Sequence, residues 1–505
     1  MKNISILLAT VFVAMTANAQ NINDVVELGN ENLIGTARFQ AMSGAFGALG
    51  GDLSAININP ASSAVFNNNF FTVSGSNYNV KNDASYGNGL TYSEKDNNFD
   101  LNQLGAVLVL KNSNDNEGWK KIALAFNYDM VNNYDNEFFA QGSSLQSINQ
   151  YFLNYAQGQA LGPILIQPGE FIEDAYLNIG ADLGYGPQQA FLGYFGGVID
   201  PVDENNDNNV DYEPTGDFSE FVNQEYYVNT TGYNSKLTVN FATQYGENLY
   251  MGLALNFNIL DKEKLTAFYE NGYDASSSLQ FVSFDNLLRT YGNGFSFSLG
   301  GIAKLNDIVR LGASYQSPTW YNLTDELSQR INSTLAHDQI DYINFSLVNV
   351  FPDYKIQIPG KLTASAALVF GKEGLISFDY GYQDMSNAKL KPTSDPAFAF
   401  ENDKIENELK AVSSIRVGGE YRFKQLSLRA GYRFEESPYE NGTALGDLNG
   451  FSLGAGYDFG RSRIDLGFSQ LQRDINYQLF ETGLTNAASI DNKSTNVTLS
   501  VSFNL

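Results

Sequence analysis

The sequence predicts an all-β fold, an antiparallel transmembrane β-barrel of about 14 strands with an N-terminal helical or irregular hatch in its lumen. Three observations lead there. Short segments alternate apolar and polar side chains with a period of two. No apolar run beyond residue 20 is long enough to cross a bilayer as a helix. Aromatic residues make up 13% of the chain, with 36 Phe and 30 Tyr, against 17% charged residues and 46 Gly. So much aromatic surface has to be buried or embedded, yet mean hydropathy is −0.25, slightly polar. Strands that turn one face to lipid and the other to a polar lumen reconcile the two.

Taken from the N-terminus, residues 1–19 read as an export signal. Met1-Lys2-Asn3 gives a positive start, Ile4 to Thr16 is apolar, and Ala17-Asn18-Ala19 sets small residues before a cut at Gln20. Residues 20–65 do not alternate. Gly44, Gly47, Gly50 and Gly51 surround Phe46, and Asp52 precedes the run Asn59-Pro60-Ala61. Glycine-rich backbone approaches other chain closely, and a residue before proline is held extended or in a turn, so this segment reads as a compact plug.

Residues 66–505 read as the barrel, with a long extracellular insertion at about 140–227. Ile376, Phe378, Tyr380 and Tyr382 face one way, while Ser377, Asp379, Gly381 and Gln383 face the other. The same alternation recurs from Ile122 to Met130, from Met251 to Ile259, from Phe451 to Phe459 and from Ile464 to Phe468. Short connectors such as Gly246-Glu247-Asn248 and Gly460-Arg461 take turns with long polar stretches such as 435–448 and 478–492. The stretch from Tyr86 to Asp100 fits strand and loop equally. The chain closes on Val497, Leu499, Val501, Phe503 and Leu505, all on one face, which suits pairing of the last strand with the first. An even strand number returns both ends to the periplasm of a bacterial outer membrane, the expected location.

The order Gly35-Thr36-Ala37-Arg38, Gly44-Ala45-Phe46-Gly47-Ala48, Asp52-Leu53-Ser54-Ala55, Asn59-Pro60-Ala61 resembles the FadL/TodX-type outer-membrane transporters of long-chain fatty acids and aromatic hydrocarbons. The resemblance implies a fourteen-stranded barrel around an N-terminal hatch, with Gly44, Phe46, Gly47, Asp52, Asn59, Pro60 and Ala61 as the hatch motif. It implies passive uptake of hydrophobic compounds: capture in an extracellular groove, passage to a pocket beside the hatch, and lateral exit through an opening made by a kinked strand. The third strand, Lys120 to Tyr134, is the candidate for that kink. The likeness covers the hatch and the overall length, so pocket positions are not carried over.

Other constellations are read from the residues themselves. In the insertion, Leu145, Ile148, Phe152 and Tyr155 recur at helical spacing, and Phe191 and Phe195 lie in a later apolar cluster. They read equally as a capture groove or as the loop's own packing. Asp203, Asn205, Asp207 and Asp211 alternate as in a calcium loop, but the sixth-place Gly is missing and Pro214 stands where the closing Glu belongs. A solvated acidic loop is the preferred reading, and no metal or cofactor is expected. Arg416, Arg422, Arg429 and Arg433 share lumen parity with Glu420 and could meet a ligand carboxylate, although neutralising lumen acids such as Asp379, Asp458 and Asp465 is the preferred role.

A formal charge of −26 repels phosphate backbones, so no nucleic-acid partner is expected. The absence of Cys rules out disulfides, thiolate metal sites and thiol nucleophiles. A barrel lipase would need a Ser–His pair, and the one His, His337, falls in an outer loop, so the chain does not read as an enzyme. The expected partners are a hydrophobic small molecule or lipid ligand, outer-membrane lipid, and the barrel-assembly machinery during biogenesis; a monomer is expected. The alternative function is a surface receptor or adhesin whose barrel only displays its extracellular loops.

Overall fold

The computed structural model describes residues 20–30, 32, 34–112 and 118–505; the export signal read over residues 1–19 lies outside them. Nineteen ladder segments form one antiparallel sheet. Four continue a strand across a break and one is a two-residue bridge, which leaves fourteen barrel strands.

In order these are β1 Phe70–Tyr86, β2 Tyr92–Lys111, β3 Trp119–Asn133 continued by Asn136–Ser144, β4 Val222–Tyr245, β5 Leu249–Asn271 and β6 Phe281–Lys304. Then follow β7 Val309–Gln316 continued by Thr319–Ser333, β8 Tyr354–Ile358 continued by Lys361–Phe370, and β9 Gly374–Asp384 continued by Lys389–Lys391. The last five are β10 Ala411–Phe423, β11 Leu426–Glu435, β12 Leu448–Asp458, β13 Ser462–Gln478 and β14 Ala487–Asn504. Pairing of β14 with β1, from Phe70↔Asn504 to Tyr86↔Ala488, closes the barrel. No strand edge is left in contact with lipid there, where unpaired backbone would cost several kcal/mol per group.

The period-two pattern appears as an inverted burial profile. Leu453 is 52% exposed on the lipid side while its neighbour Ser452 is 1% exposed in the lumen. Large aromatics gather at the periplasmic edge. Trp119 and Tyr245 meet edge to face at 5.1 Å, and Phe370, Phe423 and Phe459 are exposed beside the short turns. Gly246, Gly371 and Gly460 take positive φ in those turns, a conformation glycine adopts without strain.

Several strands outrun the sequence reading. The ambiguous stretch from Tyr86 to Asp100 is strand from Tyr92 onward, and the last part of the loop expected at 478–492 belongs to β14, which begins at Ala487. β4, β5 and β6 run to 24, 23 and 24 residues, against 10 for β11. The reason is solvent. Above the lipid both faces of a strand are wet, so the apolar-polar alternation that marks a strand disappears although the ladder continues.

Residues 145–221 form a small helical cap over the tall strands. It contains α3 Asn149–Ala156, α4 Ile172–Leu183 and α5 Tyr185–Phe195, plus two short paired strands, Ile199–Pro201 and Tyr212–Pro214. Its core of Ile148, Phe152, Tyr176 and Phe191 joins Phe268, Phe284 and Ile331 from the strands beneath. On the low side of the mouth, α6 Pro396–Glu408 begins at an Asp395 cap followed by Pro396.

Candidate functional site: hatch, lumen and wall seam

The N-terminal segment enters the lumen at its outer mouth and descends to β1. Helix α1, Ile22–Gly29, is capped reciprocally by Asn21 and Asp24. It hangs from the low side of the mouth: the Ile22 N–H donates to Glu401 of α6 at 3.1 Å, and the Tyr439 hydroxyl donates to Asn23 at 2.8 Å. Burial pushes the Asp24 carboxyl up to about 6, opposed by Lys262 and reinforced by Asp325.

Below it, α2, Ala37–Ala41, starts at a Thr36 cap. Thr36 Oγ1 donates to both oxygens of Asp52 at 2.9 Å, and the Ser54 N–H donates to Asp52 at 3.0 Å. Asp52 therefore staples the start of α2 to the next turn. Burial raises its carboxyl, and Arg38 and Thr36 oppose that rise.

The remaining motif residues are docking groups. Asn59 caps the turn at Ala61, and its amide donates to Gly47 O at 2.8 Å and to Gly301 O on β6 at 2.9 Å. The Phe46 and Gly47 N–H groups both donate to Asp379 on β9, at 2.9 and 3.0 Å. Phe46 itself is fully buried, and Gly44 takes φ +73° where the chain leaves α2.

The wall receives this backbone through lumen-facing glycines on seven strands: Gly252, Gly300, Gly312, Gly418, Gly431, Gly454 and Gly467. A Cβ on any of them would come within 2.2 to 2.6 Å of a hatch atom, from Gly47 O at Gly312 to Ala37 O at Gly467. The abundance of glycine thus has a function beyond a small lumen face. The sequence alone could not separate these positions, because each becomes special only where the hatch touches it.

Charge holds the same junction. Arg38 of α2 donates to Glu420 at 2.9 Å, and Arg429 donates to the same carboxylate at 2.6 Å. Arg422 also pairs with Glu420, and Arg429 reaches Asp465 at 2.9 Å. Arg422 and Arg429, candidates for a ligand carboxylate or for neutralising lumen acids, both lie on Glu420, the acid that also holds Arg38 of the hatch, as a fully buried carboxylate needs close cationic partners. Arg416 and Arg433 stand elsewhere. They line a cavity of about 30 Å³ with Ile34, Phe39, Ile58, Met130, Val131 and Lys236, and Arg433 also pairs with Glu435 at 2.8 Å. That space holds about one water.

Beside this cavity the wall has a seam. Pairing of β2 with β3 runs from Lys111↔Lys121 to Gln103↔Asp129 and stops there, while β3 stays paired to β4. The third strand bulges between Met130 and Asn132, breaks at Tyr134–Asp135 and resumes at Asn136. Side chains bridge the gap: Asn98 donates to Asp135 at 2.6 Å and Asn133 donates to Asp100 at 2.8 Å. The outer end is closed by the Tyr92 hydroxyl on Gln141 at 2.7 Å. From inside, Asn102 donates to Gly35 O at 2.7 Å, Asn132 donates to Asn30 O at 3.0 Å, and Ile34 packs on Met130 and Tyr78. The hatch thus covers the seam.

In the cap, Ile148, Phe152 and Phe191 have no exposure and pack in its core. Tyr155 and Phe195 are partly buried against the same core. Leu145 alone of the six is open, at 71% exposure, on the rim of a recess of about 400 Å³ shared with Phe218, Pro214 and Gly483. Asp203, Asn205, Asp207 and Asp211 lie on an exposed turn, where Asp203 accepts from the Asn205 N–H at 3.2 Å and Asp207 O accepts from Gly162 at 2.8 Å. No group of three or more His, Cys, Asp or Glu able to hold a metal occurs among the described residues. His337 lies in an outer loop with its ring 5.6 Å from that of Phe195.

Comparison with known proteins places these features. A family profile described as outer membrane protein transport protein (OMPP1/FadL/TodX) matches residues 212–504. No curated protein sequence matches the chain. Among solved structures, a Pseudomonas aeruginosa FadL homologue aligns with a TM-score of 0.53 at 12% identity, over 94% of this chain and 99% of that one. A deltaS2 mutant of the TodX monoaromatic hydrocarbon channel aligns at 0.51 and 13% identity, over 93% and 98%. The CymD monoaromatic hydrocarbon channel aligns at 0.50 and 12%, over 94% and 99%. At these identities the structural likeness speaks for the barrel with its hatch.

Proposed function

Because the chain belongs to the outer membrane protein transport protein (OMPP1/FadL/TodX) family, a family of bacterial outer-membrane transporters and not of enzymes, we propose that it admits hydrophobic molecules carrying an acidic head by passive diffusion. They would leave sideways through the seam between β2 and β3. The observation that carries this reading is that the upper half of β2, paired to β1, has no backbone pairing to a bulged and broken β3 on its other side, where side chains bridge the gap and the hatch covers it from within. An apolar solute gains by such a route, since each CH₂ kept out of water is worth about 0.8 kcal/mol.

The acidic head is argued from the lining. Arg416, Arg433 and Lys236 stand with one acid, Asp129, among Ile34, Phe39, Ile58, Met130 and Val131, and three cationic groups against one carboxylate suit a carboxylate on an apolar tail. Replacing Arg416 and Arg433 with Gln should weaken binding of a long-chain fatty acid roughly tenfold to a hundredfold and spare its methyl ester. Equal loss for both ligands would remove the acidic head from the proposal.

The route has its own test, made clean by the absence of native cysteine. Asn98→Cys and Asp135→Cys, joined by a short bis-thiosulfonate linker, should stop uptake of labelled fatty acid into proteoliposomes, and reduction should restore it. Undiminished uptake through the linked protein would sink the lateral route. The receptor or adhesin reading has no comparable support, since a barrel that only displays loops has no use for a hatch fitted against a seam.

A further inference from the structure

The outer wall carries charges that transport does not use. Lys95 on β2, Lys81 on β1 and Lys493 on β14 are direct cross-strand partners and point outward. One step farther from the membrane, Asp83, Asp491 and Asp474 on β1, β14 and β13 are likewise direct partners. Like signs are thus sorted into rows. Placing Lys opposite Asp would have given favourable cross-strand pairs, whereas like charges directly opposite destabilise a sheet.

The direct ion pairs that offset this run along each strand, Lys81–Asp83 at 2.5 Å and Lys493–Asp491 at 2.8 Å, and Asp83 and Asp474 act on Lys493 from the neighbouring strands. Lys95 makes no ion pair among the described residues. The Lys81 and Lys493 side chains remain 33% exposed, and an ammonium has three N–H donors, so one aspartate does not satisfy either.

Depth identifies what does. Lys95 and Lys493 each stand four residues above the last outward apolar side chain of their strands, Phe99 and Val497. That is about 13 Å along a strand, or about 10 Å in height at a tilt near 40°. It is the headgroup layer, to which long lysine side chains extend readily. With adjacent strands about 4.8 Å apart, the three ammonium groups span roughly 10 Å, which matches two phosphates on one headgroup better than a single small anion.

We infer that the outer face of β2, β1 and β14 binds a bisphosphorylated glycolipid of the outer leaflet through Lys95, Lys81 and Lys493. The row supplies charge complementarity at a depth where a planar anionic layer lies against the wall, and that layer offsets the repulsion between the lysines. Asp83 and Asp491 orient two of the ammonium groups from above.

The test is native mass spectrometry of the detergent-solubilised full-length protein with bisphosphoryl lipid A, with the same lipid enzymatically dephosphorylated, and with inorganic phosphate. The unmodified protein should retain the bisphosphoryl form roughly a hundredfold more strongly than the dephosphorylated one, and millimolar inorganic phosphate should not displace it. The variant K81Q/K95Q/K493Q should lose that preference while keeping heat-modifiable migration in gels and fatty-acid binding. If the triple variant fails to fold, Lys95→Gln alone should reduce the preference severalfold. Unchanged discrimination in a folded variant, no discrimination by the unmodified protein, or ready displacement by inorganic phosphate would each overturn the assignment.

Discussion

Replacing Glu420 with Ala should lower the stability of the barrel by about 3–5 kcal/mol and release the hatch, because four guanidinia, those of Arg38, Arg422, Arg429 and, at 3.8 Å, Arg463, would lose their shared buried carboxylate. Arg38 comes from the hatch and the other three from the wall, so the loss falls on the joint between them. Thermal unfolding by circular dichroism reads the first effect, and limited proteolysis within residues 20–66 reads the second. Pairing the change with Arg38→Met should recover part of the stability, since it removes one uncompensated charge. A melting temperature and a proteolysis pattern equal to those of the unmodified protein would show that the cluster does not hold the hatch.

Replacing Gly300 with Val should leave the barrel folded and its lumen open. A Cβ there would lie 2.2 Å from Asn59 Oδ1 and 2.8 Å from Pro60 Cδ, while valine is itself well suited to a strand. The clash therefore acts on the hatch and not on β6. Planar-bilayer recordings should show a large, steady conductance that the unmodified protein lacks. Gly301 provides the control: it faces outward, the nearest atom to its Cβ position is Tyr250 O at 3.6 Å, and Gly301→Val should conduct like the original. If G300V conducts no more than G301V, the glycine contacts are not what seats the hatch.

The barrel was legible in the sequence wherever lipid enforced it. Along Ile464, Leu466 and Phe468 or Val497, Leu499, Val501 and Phe503, one face must be apolar and the other is free to be Ser, Asp or Gly, so the strand is visible residue by residue. Above the lipid that constraint lapses, and β14 from Ala487 to Asn492 reads as loop although it is fully paired. The hatch motif was legible as a pattern, but the task of each residue was not. Nothing adjacent to Asn59 or Asp379 in the chain reveals that one bonds β6 and the other a hatch turn, since the partners lie 242 and 333 residues away. The four lumen arginines shared a parity, and only the fold divides them into two that clamp and two that line the cavity. In the cap, helical spacing marked apolar residues without telling packing from capture; the fold buries Ile148, Phe152 and Phe191 in the cap core.

The attachment of α1 to α6 has a mechanical consequence. The first residues of the cork are tied to the outer helix α6 through Glu401 and to the neighbouring loop through Tyr439, and across the mouth Asn21 donates to Glu481 and Gln20 to Asp325 of β7. A load applied to that helix from outside, by an arriving molecule or by a neighbour in the membrane, therefore reaches the cork's leading end directly, and the contacts of Gln20 with Asp325 and of Glu27 with Lys262 share it with the wall.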